Sequence, residues 1–203
     1  WRDQSPSKYI FLGSKGKKLA KEIQNADVFY YTGISAGILD ENQKQDLIHI
    51  GSTAVICGFD FNYRSQLHND KKVSQLLFKK ISENVDINFV SFDDVKELFD
   101  IKNPYEVFEI LNDKKNLILI RYKDSIIFKN KQEVIKTVKV CHGEVVDTTA
   151  AGDAFNGSFL ALINNDKNIS IEENILKSHS VTREVIKHKG AIISNKNMPN
   201  INT

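Results

Sequence analysis

The chain has 203 residues, which is enough for one domain with a complete core or for part of a larger one. Hydrophobic residues make up 41% and charged residues 27%, the proportions of an ordinary globular protein. The net charge of +2 comes from 28 basic and 26 acidic residues scattered along the chain, so no charge block predicts a nucleic-acid or membrane partner. No apolar stretch is long enough to span a bilayer.

Helical and extended patterns alternate along the chain. Helices are predicted over 14–26, 41–50, 70–82, 151–163 and 171–188. Two further short helices are predicted between the third and fourth strands, and Asn103 and Pro104 begin the second of them. Strands are predicted over 28–33, 53–62, 86–90 and 116–121, followed by an antiparallel pair, SIIFK and VIKTVKV. This alternation predicts an α/β fold with a mainly parallel sheet.

Polar segments follow four of the predicted strands. They are TGIS (32–35), FNYR (61–64), SFDD (91–94) and TTAAGD (148–153), the last preceded by Val145 and Val146, which resemble the end of a strand. The carboxyl ends of parallel strands meet at one edge, where α/β proteins bind ligands. Because loops at that edge are polar in any α/β protein, a shared site remains one of two interpretations.

The segment DTTAAGDAFNGSFLALI (147–163) places Asp153 in the first turn of an apolar helix. That turn carries unpaired N–H groups and the positive end of the helix dipole, and small residues allow a phosphate to approach. Asp153 is therefore either a helix cap or a base beside a phosphate.

Other candidate motifs are weaker. LGSKGKK (12–18) lacks the spacing of a phosphate loop, and the five histidines have no metal-ligand spacing with either cysteine. The cysteines, Cys57 and Cys141, stand in apolar surroundings, which predicts buried free thiols and a reducing cytoplasm. Arg64 has the planar fork that suits a carboxylate or a phosphate, although local sequence alone favours a surface residue that caps the next helix.

The nine residues DTTAAGDAF resemble the C-terminal signature of the ribokinase-like, phosphofructokinase-B type carbohydrate kinases, approximately D-T-[TG]-[GA]-A-G-D-x-[FL]. Four further matches resemble the 2-keto-3-deoxygluconate kinase branch of that family: WR with SP, YYTGIS, DFNYRSQL, and KGAII with MP. The resemblance covers the whole chain. It implies a three-layer α/β/α sandwich in which residues 1–203 are the C-terminal two-thirds of the domain, without the N-terminal strands and lid.

The resemblance also implies an activity and a set of site residues. The reaction would be the transfer of phosphate from ATP, with Mg²⁺, to the terminal hydroxyl of a small sugar acid. The implied residues are Asp153 as catalytic base and substrate contact, Ala150, Ala151 and Gly152 as an anion hole, Arg2 and Arg64 as substrate contacts, Asn62, Tyr63, Arg64, Arg121 and Ser125 as nucleotide contacts, and Asp94 as an indirect magnesium ligand.

The sequence departs from the family pattern at several of these positions. Ser91 and Asp94 replace the Asn and Glu of an N-x-x-E motif, and the K-x-G nucleotide loop aligns with Ile120, Arg121 and Tyr122. Arg183 and Glu184 stand where the family tends to have small residues behind the adenine.

Two alternatives to the sugar-acid kinase therefore stay open. One is a ribokinase or fructokinase type of enzyme, and the other is an incompetent fragment that retains only nucleotide or subunit binding. Because the chain starts at Trp1 and lacks the family's first strands, we expect a fragment of low stability, and a homo-oligomer only in the full-length protein.

Overall fold

The computed structural model describes residues 13–111, 116–141 and 143–200. The chain divides into two compact units. The first comprises Trp1–Tyr122 and Phe128–Ile135, and the second comprises Lys123–Ile127 and Lys136–Thr203.

Helices and strands alternate through the described part of the chain. The helices are α1 (Gly13–Gln24), α2 (Gly33–Gly37), α3 (Glu41–Gly51), α4 (Lys71–Ser82), α5 (Phe92–Phe99), α6 (Glu106–Ile110), α7 (Ala151–Asn165) and α8 (Ile171–Val185). The strands are β1 (Val28–Thr32), β2 (Ile56–Asp60), β3 (Ile87–Ser91), β4 (Leu117–Tyr122), β5 (Ser125–Lys129) and β6 (Ile135–Lys139). Two short 3-10 turns lie at Ser65–Leu67 and Asn195–Asn197.

The six strands form one sheet in the order β1-β2-β3-β4-β5-β6. Strands β1 to β4 are parallel neighbours, and the first four residues of β4 are buried. A continuous apolar strand of this kind is typical of a parallel sheet covered on both faces. The α/β class and the mainly parallel sheet predicted from the sequence are confirmed.

The last two strands form a hairpin. Backbone bonds join Asn130 N–H to the Val134 carbonyl at one end, and Val140 N–H to the Asp124 carbonyl at the other. The residue numbers in each bond give the same sum, as an antiparallel register requires. The predicted antiparallel pair is therefore confirmed, and β6 is mostly exposed.

An aromatic cluster fills the core of the first unit beside β2. The ring of Phe59 lies 5.3 Å from that of Phe61 and 5.6 Å from that of Phe78, and all three side chains are fully buried. Gly33 begins α2 directly against this cluster. A Cβ at Gly33 would lie 2.0 Å from the Phe61 carbonyl oxygen, so only glycine fits where α2 approaches β2.

Side chains at the helix starts satisfy backbone N–H groups that the helices themselves leave unpaired. Asp40 and Gln43 form a reciprocal capping box before α3, and Asp70 accepts from the N–H groups of Lys72 and Val73 at the start of α4. Asn103 accepts from Tyr105 N–H as predicted, but the regular helix α6 begins only at Glu106.

In the second unit, α7 and α8 pack through a buried polar contact. The Asn174 amide donates to the Phe159 carbonyl at 3.1 Å, and its oxygen accepts from the Ser178 hydroxyl at 3.0 Å. Asn174, Phe159 and Ser178 are fully buried, so their polar atoms need hydrogen-bond partners within the protein. Helix α7 supplies the carbonyl for the Asn174 amide, and the next turn of α8 supplies the Ser178 hydroxyl. This network fixes the two helices against each other.

Two predictions from the sequence are wrong. Val145 and Val146 do not end a strand: both are exposed, and the N–H groups of Val146 and Asp147 bond to the Ile186 carbonyl rather than to a neighbouring strand. Cys141 is exposed, whereas Cys57 is buried as predicted. Within the described ranges, no helix combines the length and the apolar character needed to cross a membrane.

Candidate active site

Polar side chains gather at the carboxyl ends of the strands in the first unit. The strand register places Thr32 beside Asp60, and Ser91 beside Arg121. Because Asp60 also pairs with Phe89, two residues before Ser91, all of these positions share one face of the sheet. The sheet therefore directs Asp60 and Arg121 to the same side, although β3 lies between their strands.

Asp60 is the buried centre of this group, with its side chain 4% exposed. Its Oδ1 lies 3.5 Å from Arg121 Nη2, and the Tyr30 hydroxyl donates to its Oδ2 at 3.4 Å. A carboxylate removed from water requires such partners, because its desolvation is costly. The Arg121 side chain is 27% exposed, so part of it stays accessible to solvent.

Arg64 and Asp94 form a second ion pair at the same edge. Arg64 Nη1 donates to Asp94 Oδ1 at 3.2 Å and to the Tyr63 carbonyl at 2.7 Å. Burial raises the pKa of the Asp94 carboxyl; the Arg64 guanidinium opposes that shift, and the charge of Asp60 adds to it. We refer to the five residues that meet here as the edge cluster: Tyr30, Asp60, Arg64, Asp94 and Arg121.

No group of three or more His, Cys, Asp or Glu side chains within the described residues converges as a preformed metal site. Magnesium, however, is often held by one or two carboxylates together with water and substrate phosphates. The Asp94 side chain is 18% exposed and lies in the first turn of α5, so it fits that mode as a ligand acting through water.

Asn62 and Tyr63 follow β2 but differ in accessibility. Asn62 has a positive φ of 32° and is half-buried at the turn. Tyr63 is 4% exposed, because its ring stacks on His68 at 5.1 Å and meets Phe78 edge-on at 5.7 Å. A ligand can therefore meet Tyr63 only through its backbone, whose carbonyl Arg64 already contacts.

The other predicted contacts lie further along the chain. Ile120, at the position of the family's loop lysine, is fully buried, and the next residue, Arg121, is 27% exposed. Ser125 begins β5 and is half-buried. Arg2 lies outside the described residues.

The start of α7 in the second unit has an unusual backbone. Ala150 precedes the helix in the left-handed conformation, with φ 60° and ψ 15°, and no side chain caps the helix. Ala151 N–H bonds to the Thr148 carbonyl at 3.1 Å, which closes the turn. Among the described residues, no acceptor faces the N–H groups of Gly152 and Asp153. These groups point at the position where a helix N-terminus binds an anion.

Asp147 ties this turn to the segment after α8. Its Oδ1 accepts from Thr149 N–H at 2.9 Å, and its Oδ2 accepts from Gly190 N–H at 2.8 Å. The hydrogen bonds from Thr149 and Gly190 lower the pKa of the Asp147 carboxyl to about 2. The ionised carboxylate of Asp147 therefore connects the turn before Asp153 to the segment at Gly190.

A pocket of about 620 Å³ opens beside the helix start, within the volume range of small-ligand sites. Ala150 and the exposed carboxylate of Asp153 lie on its wall, together with Gly157 of α7. Helix α8 contributes Val181 and Val185, four residues apart on one face. The pocket is thus mainly apolar, with a carboxylate and backbone N–H groups at one side.

Arg183 does not line this pocket, although it lies between the two valines in sequence. Its guanidinium lies beside Gly143, where a Cβ would be 3.3 Å from Nε. Glu184 is paired with Lys187 at 2.7 Å. The two large residues that depart from the family pattern therefore leave the pocket open.

A family model for pfkB family carbohydrate kinases matches residues 7–198. The chain belongs to this family. The resemblance of DTTAAGDAF to the signature of this family is thereby confirmed.

Two bacterial relatives are called 2-dehydro-3-deoxygluconokinase. The protein from Haemophilus influenzae (strain ATCC 51907 / DSM 11121 / KW20 / Rd) is 32% identical over 201 residues, covering 95% of this chain and 63% of the relative. The protein from Escherichia coli (strain K12) is 28% identical over 208 residues, covering 98% and 67%. The pfkB-family chain thus spans about two-thirds of the length of these relatives.

Solved structures share the fold at lower identity. Aminoimidazole riboside kinase from Salmonella enterica, complexed with aminoimidazole riboside and an ATP analogue, has a TM-score of 0.70 at 20% identity, covering 82% of this chain and 58% of its own. Fructokinase from Vibrio cholerae O395, in its fructose, ADP and calcium ion bound form, has a TM-score of 0.70 at 16% identity, with coverage of 83% and 57%. The ribokinase-like fold expected for the pfkB-family chain is confirmed.

The sequence analysis missed two residues that organise these sites. Asp60 closes an otherwise apolar strand, and a carboxylate in such a place signals a buried cation partner. Asp147 was read as part of a motif, but no sequence pattern links it to Gly190, which follows 43 residues later.

Proposed function

We propose that the protein transfers the γ-phosphoryl group of ATP to the terminal hydroxyl of 2-keto-3-deoxygluconate. The observation that carries the proposal is the start of α7. There, an exposed carboxylate at Asp153 stands beside unpaired backbone N–H groups and a pocket large enough for a small ligand. Phosphoryl transfer requires positioning, stabilisation of charge and one acceptor for a proton.

In this mechanism Asp153 is the catalytic base. As the hydroxyl oxygen of the sugar attacks the γ-phosphorus, the Asp153 carboxylate accepts the hydroxyl proton and ADP departs with the electron pair of the broken P–O bond. The N–H groups of Gly152 and Asp153 stabilise charge on the moving phosphoryl group, with Ala150 setting their direction. Ala151 contributes by closing the turn, since its N–H is bonded to Thr148.

The pocket beside the helix start supports the nucleotide assignment. Ile192 and Met198 line the pocket and are 90% and 48% exposed, so they offer an apolar surface on which a flat base can lie, and the helix start is the natural place for its phosphates. Within the first unit, taken by itself, Arg121 would contribute positive charge at the carboxyl edge of the sheet, and Asp94 would hold Mg²⁺ through water. Bound Mg²⁺ neutralises negative charge on the phosphates during transfer.

The substrate class rests on Arg64 and on the names of the relatives. Arg64 is 48% exposed and presents the planar fork that pairs with a carboxylate. Two relatives that cover nearly the whole chain are called 2-dehydro-3-deoxygluconokinase. Both observations favour a sugar acid over a neutral sugar.

A second candidate is a kinase for another sugar of this family. Arg64 is already bonded to Asp94, which compensates part of its charge and weakens the case for a carboxylate substrate. The ATP-dependent 6-phosphofructokinase from Thermoanaerobacterium thermosaccharolyticum (strain ATCC 7956 / DSM 571 / NCIMB 9385 / NCA 3814 / NCTC 13789 / WDCM 00135 / 2032) is 30% identical over 169 residues, covering 82% of this chain and 48% of its own.

The deciding experiment measures ADP release by the full-length protein with ATP and Mg²⁺. The acceptors are 2-keto-3-deoxygluconate, ribose, fructose and fructose 6-phosphate, with a reaction lacking acceptor as the background. We expect the highest kcat/KM with the keto acid. Equal or better turnover of another sugar contradicts the substrate assignment, and no turnover with any acceptor favours an incompetent relative.

A further inference from the structure

Helix α7 contains a glycine in its interior that the packing of the second unit does not explain. Gly157 lies near the middle of the helix and is exposed. Glycine is a poorer helix former than every residue except proline, because it loses the most backbone freedom on folding. We propose that Gly157 lets the nucleoside end of ATP pack directly against the backbone of α7. The inference rests on the proposed function, because it concerns how the same pocket binds its nucleotide.

The two usual structural reasons for a glycine do not apply at this position. One is a positive φ, which among the described glycines occurs at Gly190 and not at Gly157. The other is close approach by another part of the protein, as at Gly33, where a Cβ would lie 2.0 Å from the Phe61 carbonyl oxygen. Outside the backbone of α7 itself, no atom of the described residues lies within 4 Å of a Cβ placed at Gly157. Alanine would therefore fit there and would strengthen the helix.

The open space in front of Gly157 belongs to the pocket of about 620 Å³. Gly157 follows Asp153 by four residues on the same face of α7, about 6 Å further along the helix axis. Because the proposed phosphates lie at the helix start, the part of the ligand that reaches Gly157 lies beyond them. A glycine at such a place allows a ligand to approach the backbone closely.

The rest of the α7 wall is also free of large side chains. Ala154 and Ser158 line the pocket beside Gly157. The Ser158 hydroxyl donates to the Ala154 carbonyl at 2.7 Å, so it is directed back onto its own helix. This wall therefore consists mainly of backbone and small side chains, and a ligand that lies on it meets the helix itself.

Helix α7 cannot move aside to make room for a larger residue. The buried hydrogen bond from the Asn174 amide to the Phe159 carbonyl holds α7 against α8, only two residues beyond Gly157. Ile192 and Met198, which also line the pocket, are largely exposed and can adjust around a ligand. A methyl group added at Gly157 therefore projects from a fixed wall into space that the ligand needs.

Adding side chains at Gly157 in the full-length protein tests the inference. The variants are Gly157→Ala and Gly157→Leu, and both new residues are good helix formers. The matched control is Ala161→Leu, because Ala161 follows Gly157 by four residues on the same helix and is exposed outside the pocket. Calorimetry measures ATP binding, and thermal melting without ligand measures stability.

We expect Gly157→Ala to weaken ATP binding about tenfold and Gly157→Leu to weaken it at least about 100-fold, the range for a misfitting group in an apolar pocket. The melting temperature of Gly157→Ala should nevertheless rise by about 2 °C, because alanine favours the helix. The control should bind ATP as the wild type does. In turnover assays, the KM for ATP should rise in Gly157→Ala while the KM for the sugar stays unchanged.

Three results would overturn the inference. The first is wild-type ATP affinity in both Gly157 variants. The second is a raised KM for the sugar with an unchanged KM for ATP, which would place the sugar at Gly157. The third is a lower melting temperature in Gly157→Ala, which would show that the fold itself requires glycine. A wild-type protein that binds ATP but leaves the keto acid unphosphorylated overturns the proposed function and not this inference, whereas a wild-type protein that does not bind ATP overturns both.

Discussion

Asp153 does not cap α7, because no side chain of the described residues accepts from the N–H groups at the start of that helix. Its carboxylate is exposed at the pocket, and the neighbouring backbone N–H groups have no acceptor among the described residues. Replacing Asp153 with Asn keeps the size of the side chain and its ability to accept a hydrogen bond, but the amide cannot take up a proton. The change therefore removes the proposed base and leaves the shape of the side chain intact.

We expect Asp153→Asn to lower turnover of the full-length protein by at least about 10²-fold, the usual contribution of a general base. The melting temperature should change little. Asp166→Asn, at the exposed C-terminal end of the same helix, is the control and should leave turnover unchanged. Wild-type turnover in Asp153→Asn would contradict the assignment of Asp153 as the base.

Arg64 offers a graded test of the acid-sugar assignment. In Arg64 the single nitrogen Nη1 contacts both the Tyr63 carbonyl and the Asp94 carboxylate, and Arg64→Lys keeps the positive charge but loses the other donors of the planar fork. We expect the KM for the sugar acid to rise about tenfold, with an unchanged melting temperature. The KM for ATP, measured in parallel, serves as the internal control. If neither KM moves, Arg64 is a surface residue without a ligand.

At the scale of elements, Asp147 connects the turn before α7 with the segment after α8 through a carboxylate whose pKa is lowered to about 2. Because the ordinary value is 3.8, the folded chain holds this proton less tightly than the unfolded chain does. The stabilisation that the Asp147 carboxylate contributes is therefore fully present at pH values above 3.8, and it is lost as the pH falls from 3.8 towards about 2.

The measurement is the melting temperature between about pH 5 and about pH 2. Asp147→Asn should melt below the wild type at the upper end, and its melting temperature should fall less steeply on acidification. Asp46→Asn, an exposed change on α3, should follow the wild-type curve. Parallel curves for Asp147→Asn and the wild type would show that its hydrogen bonds do not stabilise the fold.

The elements that the sequence predicted well have strong periodic patterns. The four parallel strands and helices α3, α4 and α8 carry apolar spacing with clear caps, so local sequence was sufficient. Helix α2 was missed because it is five residues long and Gly33 begins it, which only its close approach to Phe61 explains. Val145 and Val146 have strand propensity, but the N–H of Val146 bonds to the Ile186 carbonyl rather than to a neighbouring strand.

The site residues follow the same division. Asp153 was predicted because a motif surrounds it, and the structure places it at a helix start beside a pocket. The burial of Tyr63 and the pairing of Asp60 with Arg121 depend on which side chains the tertiary fold brings together. Such contacts join residues far apart in sequence, so local pattern cannot supply them.

At the scale of the whole molecule, the net charge is only +2, and apolar side chains are exposed on the first unit. Val73 and Leu76, 54% and 69% exposed, lie three residues apart on one face of α4. Low net charge together with an apolar surface favours association between molecules. We therefore expect the chain to aggregate at high concentration.

Replacing Leu76 with Lys should reduce light scattering at equal concentration, with an unchanged melting temperature, because Leu76 contributes little buried area. Asn69→Lys adds the same charge at an exposed loop position without removing an apolar side chain. If both variants reduce scattering equally, net charge rather than the α4 surface causes the association.

The left-handed turn at Ala150 has an evolutionary consequence. The conformation costs an alanine about 1 kcal/mol that a glycine would not lose. Glycine would, however, make the unfolded chain more flexible, which costs about the same amount on folding. A single codon change between alanine and glycine at this position is therefore almost invisible to selection on stability.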